Sequence, residues 1–425
     1  MSSDSTFPQV LPMRRRAEVI YRLLKGRLAT ILPAAMREAG LDMWLILCHE
    51  DNLDPVYTTM IPMDTWCPIL SILVFQTKPG RDGEAIAVEG INLCGTDTRD
   101  LYHHPYTGQI EAEQWPLLIQ TIIERDPQRI GINIGSVAWA AGGLTQNLYQ
   151  QLVEHLPDTY VSRLVSAEAA AVRWLATLTD DEIQTYEHVA DVAHHIIAEC
   201  YSRSSIVPNV TTTEDLQWRY WERCAGLGLP MAFKPSFRLI RNEEMRARYG
   251  ATDQVIRPGD VIHCDVGFQY LRFNSDHQQV AYVRRAGEQD APPGLKELMA
   301  QANRLQDIYM AEFRHGLTGN ELLHNILARA RREGAPGPKV YSHSVGLFLH
   351  EPGPLIGLPW EQEDCAGRGE VRLEYNSCFT MELSVTGMAP DWSHEEVRLP
   401  LEEEVVFTRQ GCRPLDGRQT EFYLI

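Results

Sequence analysis

At 425 residues the chain is too long for one ordinary compact domain, so two domains are expected. With 44% hydrophobic residues and a net charge of −18 it reads as a globular chain whose acidity disfavours nucleic-acid binding. No apolar run reaches the about 18 residues of a membrane span. The N-terminal MSSDSTFPQVLPMRRRAEVI has no apolar core, so no secretory signal is expected either.

Residues 1–172 read as an α/β domain. Met13–Ala39 has helical spacing, with Ile20, Leu23, Leu24, Leu28 and Ile31 apolar, and Pro33 is expected to split it into two helices. Strand-like runs follow at 43–48, 69–75, 85–90 and 129–135. Helical stretches lie near Trp115–Arg125 and Leu144–Leu156, and KPGRDG (78–83) has turn chemistry. Strands alternating with helices imply a mixed or parallel sheet covered by helices. GINIGS lacks the spacing of a dinucleotide-binding loop. The domain junction falls within 166–197, with the second domain taken from residue 173. Thr179, Asp180 and Asp181 suit the cap of a helix starting near Glu182. Helices are expected over 180–203, 213–227 and Leu295–Arg314, and a capping box at Thr318–Glu321 opens another, to Glu333. Strands resume from Lys339, so residues 173–425 read as α+β. The nine cysteines form no CxxC pair, a pattern of reduced thiols in a cytoplasm.

Five metal-type ligands punctuate this second half: Asp265, Asp276, His343, Glu382 and Glu402. Taken singly, each has a bland reading as a turn residue, a solvated strand glutamate or a core histidine. Together, four carboxylates and an imidazole inside apolar runs suit one or two first-row divalent ions better than a thiolate zinc site. Asp265 and Asp276 are eleven residues apart, so a plain strand would point them to opposite faces. A hairpin near Arg272 or Asn274 would bring them to one site. Cys264 is read as a small buried hydrophobe, and Glu402 is preferred over Glu403 and Glu404 as the ligand.

PGDVIHCDVG (258–267), Asp276, HSVGLFLHEPGP (343–354), FTMEL (379–383) and EEEVVFTRQG (402–411) resemble the pita-bread metallopeptidase superfamily of methionine aminopeptidase, aminopeptidase P, prolidase and creatinase. Residues 1–172 look like the α/β domain that precedes it in prolidases, aminopeptidases P and creatinases. The resemblance implies two divalent ions, manganese first, with cobalt, iron or zinc as alternatives. It gives Asp265 to one ion, Asp276 and Glu402 to both, and His343 and Glu382 to the second. It implies a metal-bridging water or hydroxide as nucleophile, Glu382 as general base, and His350 as a group that binds the substrate carbonyl and stabilises the tetrahedral intermediate. It further implies an Xaa-Pro aminopeptidase or dipeptidase acting on small peptides, and a homodimer.

The chain departs from that pattern in three places. Arg248-Tyr249 stands where peptidases carry His-Tyr, so Arg248 becomes a candidate for a substrate carboxylate, against a surface arginine in a charged loop. His277-Gln278-Gln279 replaces a Thr-Arg-Thr-like sequence, making His277 either a substrate contact or a group behind a ligand. Pro400 replaces the arginine before the last glutamate, and Arg398 lies two residues further back. Arg272 is a further carboxylate-binding candidate. These departures keep two alternatives open: a pita-bread lyase or hydrolase of a small metabolite, and a non-catalytic scaffold. The iron-dependent dimethylsulfoniopropionate lyases carry an aspartate where this chain has Gly267, which argues against that branch. Creatinase-like amidinohydrolases lack the metal ligands retained here.

Overall fold

The computed structural model describes residues 7–78, 87–108 and 110–425. It divides into two compact units, Leu11–Thr179 and Asp180–Ile425, the latter joined by the segment ahead of Leu11. The division falls seven residues later than the sequence boundary at 172/173, because the helix Glu168–Ala176 packs on the helix Met13–Glu38 and belongs to the first unit.

The first unit is built on strands β1 (Met43–His49), β2 (Leu70–Lys78), β3 (Ala87–Asn92), β4 (Ile130–Ile132) and β5 (Leu164–Ser166), ordered β3-β2-β1-β4-β5. β1 runs antiparallel to β2 and parallel to β4, so the sheet is mixed. Its apolar side chains, among them Leu45, Ile72, Val74 and Ile132, pack against Leu118, Ile122 and Leu148 from covering helices. The helix Met13–Glu38 runs unbroken through Pro33. Burial of Ile31, Leu32, Ala35 and Met36 around the proline outweighs the about 3 kcal/mol it costs a helix interior. β5 is too short for periodicity to reveal, and most of KPGRDG lies outside the described residues.

A buried polar chain fixes this sheet. Trp44 Nε1 donates to Asn133 Oδ1 (2.7 Å), and Asn133 Nδ2 donates to Asp54 Oδ2 (2.9 Å). Asp54 also caps the helix Pro55–Met60. Asn133→Leu would strand the indole N–H and a carboxylate oxygen without partners. The expected loss is about 2–4 kcal/mol of stability in urea unfolding, since each orphaned buried group costs about 1–3 kcal/mol.

The second unit holds strands β6 (Ser236–Ile240), β7 (Val261–Val266), β8 (Gln269–Tyr270), β9 (Phe273–Asn274), β10 (His277–Tyr282), β11 (Lys339–His343), β12 (Leu355–Ile356), β13 (Ser377–Thr380), β14 (Glu382–Ala389), β15 (Ser393–Leu401), β16 (Glu404–Thr408), β17 (Gly411–Pro414) and β18 (Tyr423–Leu424). They form sheets ordered β18-β10-β7-β6, β12-β11-β14-β15 and β13-β16-β17, with β8-β9 as a separate hairpin. Helices Pro293–Glu312 and Gly319–Arg332 cover them, burying Leu295, Leu305, Leu322 and Ile326 against Val385 and Leu399. The Thr318–Glu321 capping box forms with both its hydrogen bonds. A second box, Thr212 with Asp215, opens the helix Thr213–Gly226. The helix Asp180–Cys200 starts two residues before Glu182 and places three acids in its first turn, favourably for the helix dipole. No helix among the described residues is long and apolar enough to cross a membrane. All nine cysteines are unpaired.

Candidate metal centre

The odd spacing of Asp265 and Asp276 is absorbed by the β8–β9 hairpin. Gln269 pairs with Asn274 and Tyr270 with Phe273, so Leu271 and Arg272 form the turn, both at positive φ (52° and 74°). Positive φ at both central residues is the type I′ pattern that matches strand twist. The chain then returns as β10 antiparallel to β7, with Gln278 opposite Asp265. Asp276 lies two residues before Gln278, so both aspartates reach the same face.

Glu402 joins that face through a β-bridge to Gln278. Gln278 Nε2 donates to Glu402 Oε2 (2.7 Å), while Glu402 Oε1 is buried with no hydrogen-bond partner. His343 ends β11, and its Nδ1–H donates to the carbonyl of Ser344 (3.2 Å). That bond leaves Nε2 as a lone pair 3.7 Å from Asp276 Oδ2, the tautomer a metal ligand needs. One ligand atom each from Asp276, His343 and Glu402 lie within 4.8 Å of one another. Of the three consecutive glutamates, only Glu402 faces this point. Glu403 accepts from Gln279 and His194, and Glu404 accepts from the Tyr186 hydroxyl and the Asp276 N–H.

The electrostatics are those of converging carboxylates. Burial, then the charges of Asp265, Glu382 and Glu404, push Asp276 well above the carboxylate range. Glu402 is pushed up by burial and then by Asp276, Glu382 and Asp265. Burial raises Glu382 to about 7 and Glu404 to about 8. Burial, then the charge of His350, hold His343 down at about 3, so it is neutral. An unsatisfied glutamate oxygen, like-charged carboxylates and a neutral imidazole aimed at one point fit a divalent cation.

A pH dependence follows for chelator-treated protein. A raised carboxylate contributes stability present below its unfolded value of about 4.5 and lost as pH climbs through its folded one, to about 7 for Glu382 and 8 for Glu404. Neutral His343 and His263 act oppositely, but only up to their ordinary 6.5. Thermal melts should therefore fall between about pH 6.5 and 8, and added manganese should flatten that slope.

Asp265 and Glu382 also line an open cleft of about 560 Å³, together with Arg238, His263, Gln278 and Arg398. Ser236 lies opposite Asp265 and Arg238 opposite His263, so Arg238 shares the face of Asp265. Burial raises Asp265, opposed by the Arg238 charge, and the Arg398 charge opposes in the same way the burial that raises Glu382. His263 Nε2 donates to Gln278 Oε1 (2.9 Å), completing a chain from His263 through Gln278 to Glu402.

The profile of metallopeptidase family M24 matches residues 184–409, more than half of the chain. The chain belongs to metallopeptidase family M24. The X-Pro aminopeptidase from Thermotoga maritima MSB8 superposes with a TM-score of 0.65 at 17% identity, covering 92% of this chain and 100% of that one. The Xaa-Pro dipeptidase from Bacillus anthracis gives 0.59 at 17% identity, over 95% and 100%. The N-terminal domain of FACT complex subunit SPT16 from chickpea (Cicer arietinum) gives 0.57 at 11%, over 94% and 98%. No curated protein matches the chain. The architecture is thus the α/β domain followed by the pita-bread domain of this family.

Within that M24 frame, two expected substrate contacts lie elsewhere. His277 is 1% exposed and follows Asp276 in an extended strand, so it points to the opposite face, away from the cleft. Arg248 is exposed near the end of a helix, Glu243–Tyr249, with its guanidinium over the Tyr249 ring, and does not line the cleft. That segment is helical rather than a loop because Asn242 caps it. Arg398 does line the cleft, where its Nε donates to Ser384 Oγ (3.0 Å). Arg272 sits in the hairpin turn. The His350 ring lies 4.4 Å from that of His343, and partial burial and the Arg368 charge hold it below its usual value. Arg238, His263 and Arg368 were not foreseen, and Gln278 figured only within the His277-Gln278-Gln279 departure, since tertiary contacts alone bring them to the site.

Proposed function

We propose that this chain is a metal-dependent hydrolase that cleaves Xaa-Pro bonds in dipeptides or short peptides. The observation that carries the reading is the convergence of Asp276, His343 and Glu402 beside a cleft that Asp265 and Glu382 also line. Asp265, Asp276, His343, Glu382 and Glu402 would hold the metal, which supplies Lewis acidity and an acidified water when bound. Glu382 reaches both the carboxylate cluster and the cleft, so it can take a proton from the attacking water. Gln278 holds Glu402 in orientation and is itself held by His263. His350, beside His343, can donate a hydrogen bond to a carbonyl oxygen as charge develops there. Arg238 and Arg398 would take a substrate carboxylate, which favours a dipeptide over a long peptide.

The same two arginines, with no histidine at 248, favour as a second reading a small carboxylate metabolite on the same centre. The lyase branch with an aspartate at 267 does not fit, because a Cβ on Gly267 would lie 2.0 Å from the Ser275 carbonyl. The test offers manganese-loaded protein Xaa-Pro dipeptides, the same dipeptides amidated at the C-terminus, and longer Xaa-Pro-led peptides. Mass spectrometry reads the products. Release of the first residue, with amidation or Arg398→Ala raising KM about tenfold or more, supports the dipeptidase reading. Metal-loaded protein that cleaves none of them would favour the metabolite.

A further inference from the structure

A second ligand cluster lies behind the first. Successive residues of an extended strand face opposite ways. Asp276 and Glu402 face the centre already described; His277, next along, and Glu403, which accepts from His194 and Gln279, lie on the other side. There they meet His194, from the helix Asp180–Cys200. One ligand atom each from His194, His277 and Glu403 lie within 4.8 Å of one another, and all three residues are buried. His277 Nε2 is 3.8 Å from Glu403 Oε2 and 3.8 Å from Glu404 Oε2.

Part of this cluster explains itself. His194 Nδ1 is 2.6 Å from Asp416 Oδ2 and Nε2 is 2.8 Å from Glu403 Oε2. Against burial, those two carboxylates raise its pKa to about 10, so His194 could sit between them as an imidazolium. That proton leaves the rest unexplained. Both ring nitrogens of His277 and Glu404 Oε2 are buried without a hydrogen-bond partner. Such orphaned groups are costly unless something joins them.

We infer that His194, His277 and Glu403, with Glu404 in reach, form a second divalent-metal site of zinc type, separate from the catalytic centre. Two imidazoles and one or two carboxylates are a zinc donor set. Metal–ligand bonds of about 2.0–2.2 Å in tetrahedral array separate donor atoms by roughly 3.4 Å, within the spread seen here. The Asp416–His194 contact is the carboxylate–histidine arrangement that fixes the tautomer and orientation of a metal-bound imidazole. Glu403 Oε1 is held by Gln279 Nε2 (2.9 Å) and the Gln419 N–H (2.8 Å), which leaves Oε2 for the ion. The ion would tie the helix Asp180–Cys200 to the strand and glutamate segment that carry Asp276 and Glu402. Its role is therefore to brace the catalytic ligands from behind, not to touch substrate.

The test uses the full chain carrying Asp265→Ala and His343→Ala, which cripples the first centre without touching the second. The protein is loaded with zinc, dialysed against a weak chelator, and its metal measured by mass spectrometry. About one zinc per chain should remain, and adding His277→Gln should remove it. Cobalt(II) in place of zinc should give visible absorption bands of four-coordinate ligation, lost in the same His277→Gln protein. Retention below about a tenth of an equivalent, or retention and bands that survive His277→Gln, would overturn the site and leave His194 as an imidazolium beside a buried water. Should the combined variant fail to fold, wild type is compared with His277→Gln alone. A loss of about one equivalent supports the site, and unchanged metal content overturns it.

Discussion

Asp276→Ala is expected to lower metal-dependent hydrolysis by at least about a thousandfold, because even the groups that merely orient metal ligands are each worth about 10–100-fold. The same substitution should make the metal-free protein more stable. Asp276 is buried, and burial plus the charges of Asp265, Glu382 and Glu404 oppose its ionisation. Removing it relieves a carboxylate cluster that has no cation to offset it. Metal should then reverse the order, stabilising wild type through preferential binding to the folded state and the variant far less. Urea unfolding of both proteins, with chelator and with manganese, checks this. A variant less stable than wild type in chelator would contradict the electrostatic account of the centre.

Glu382→Gln is expected to cut kcat by about 10²–10⁴ with little change in KM, the range for loss of a positioned general base. The amide keeps an oxygen donor but cannot accept a proton. Glu382 lines both the cluster and the cleft, whereas Glu402 is enclosed and held by Gln278. The corresponding Glu402→Gln should therefore act mainly through metal affinity, and excess manganese should recover more of its activity than that of Glu382→Gln. Equal rescue of both would remove the distinction in role. Steady-state kinetics across a manganese titration measures it.

Much of the site was legible because its ligands are chemically conspicuous where they stand. A buried carboxylate in an apolar run is costly, so Asp265, Asp276, Glu382 and Glu402 signal a cation from sequence alone, and the structure brings Asp276, Glu402 and His343 together. The hairpin needed to reconcile the odd aspartate spacing was foreseeable by parity, and it falls at Leu271–Arg272. The surroundings were not legible, because they depend on strand register. Arg238 enters the cleft only through its pairing opposite His263, and Gln278 only through its bridge to Glu402. His277 drew notice beside a ligand, yet strand alternation turns it to the other side, where His194 arrives from a helix 83 positions earlier in the chain. Arg248 stood out by replacing an expected histidine, but on the cap-initiated helix Glu243–Tyr249 its side chain is exposed instead of lining the cleft. In the first unit, long apolar runs revealed β1 and β2. β5 is three residues long and carries no period, and Pro33 was overridden by tertiary burial.

The most direct measurement is anomalous X-ray diffraction from crystals of the full chain soaked in manganese, recorded at energies either side of the manganese edge. The expected result is an anomalous peak bounded by Asp265, Asp276, His343, Glu382 and Glu402, with Glu402 Oε1 turned toward it. No peak there in crystals that hold manganese elsewhere, or a Glu402 side chain bonded only to protein groups, would contradict the metal centre and with it the hydrolase.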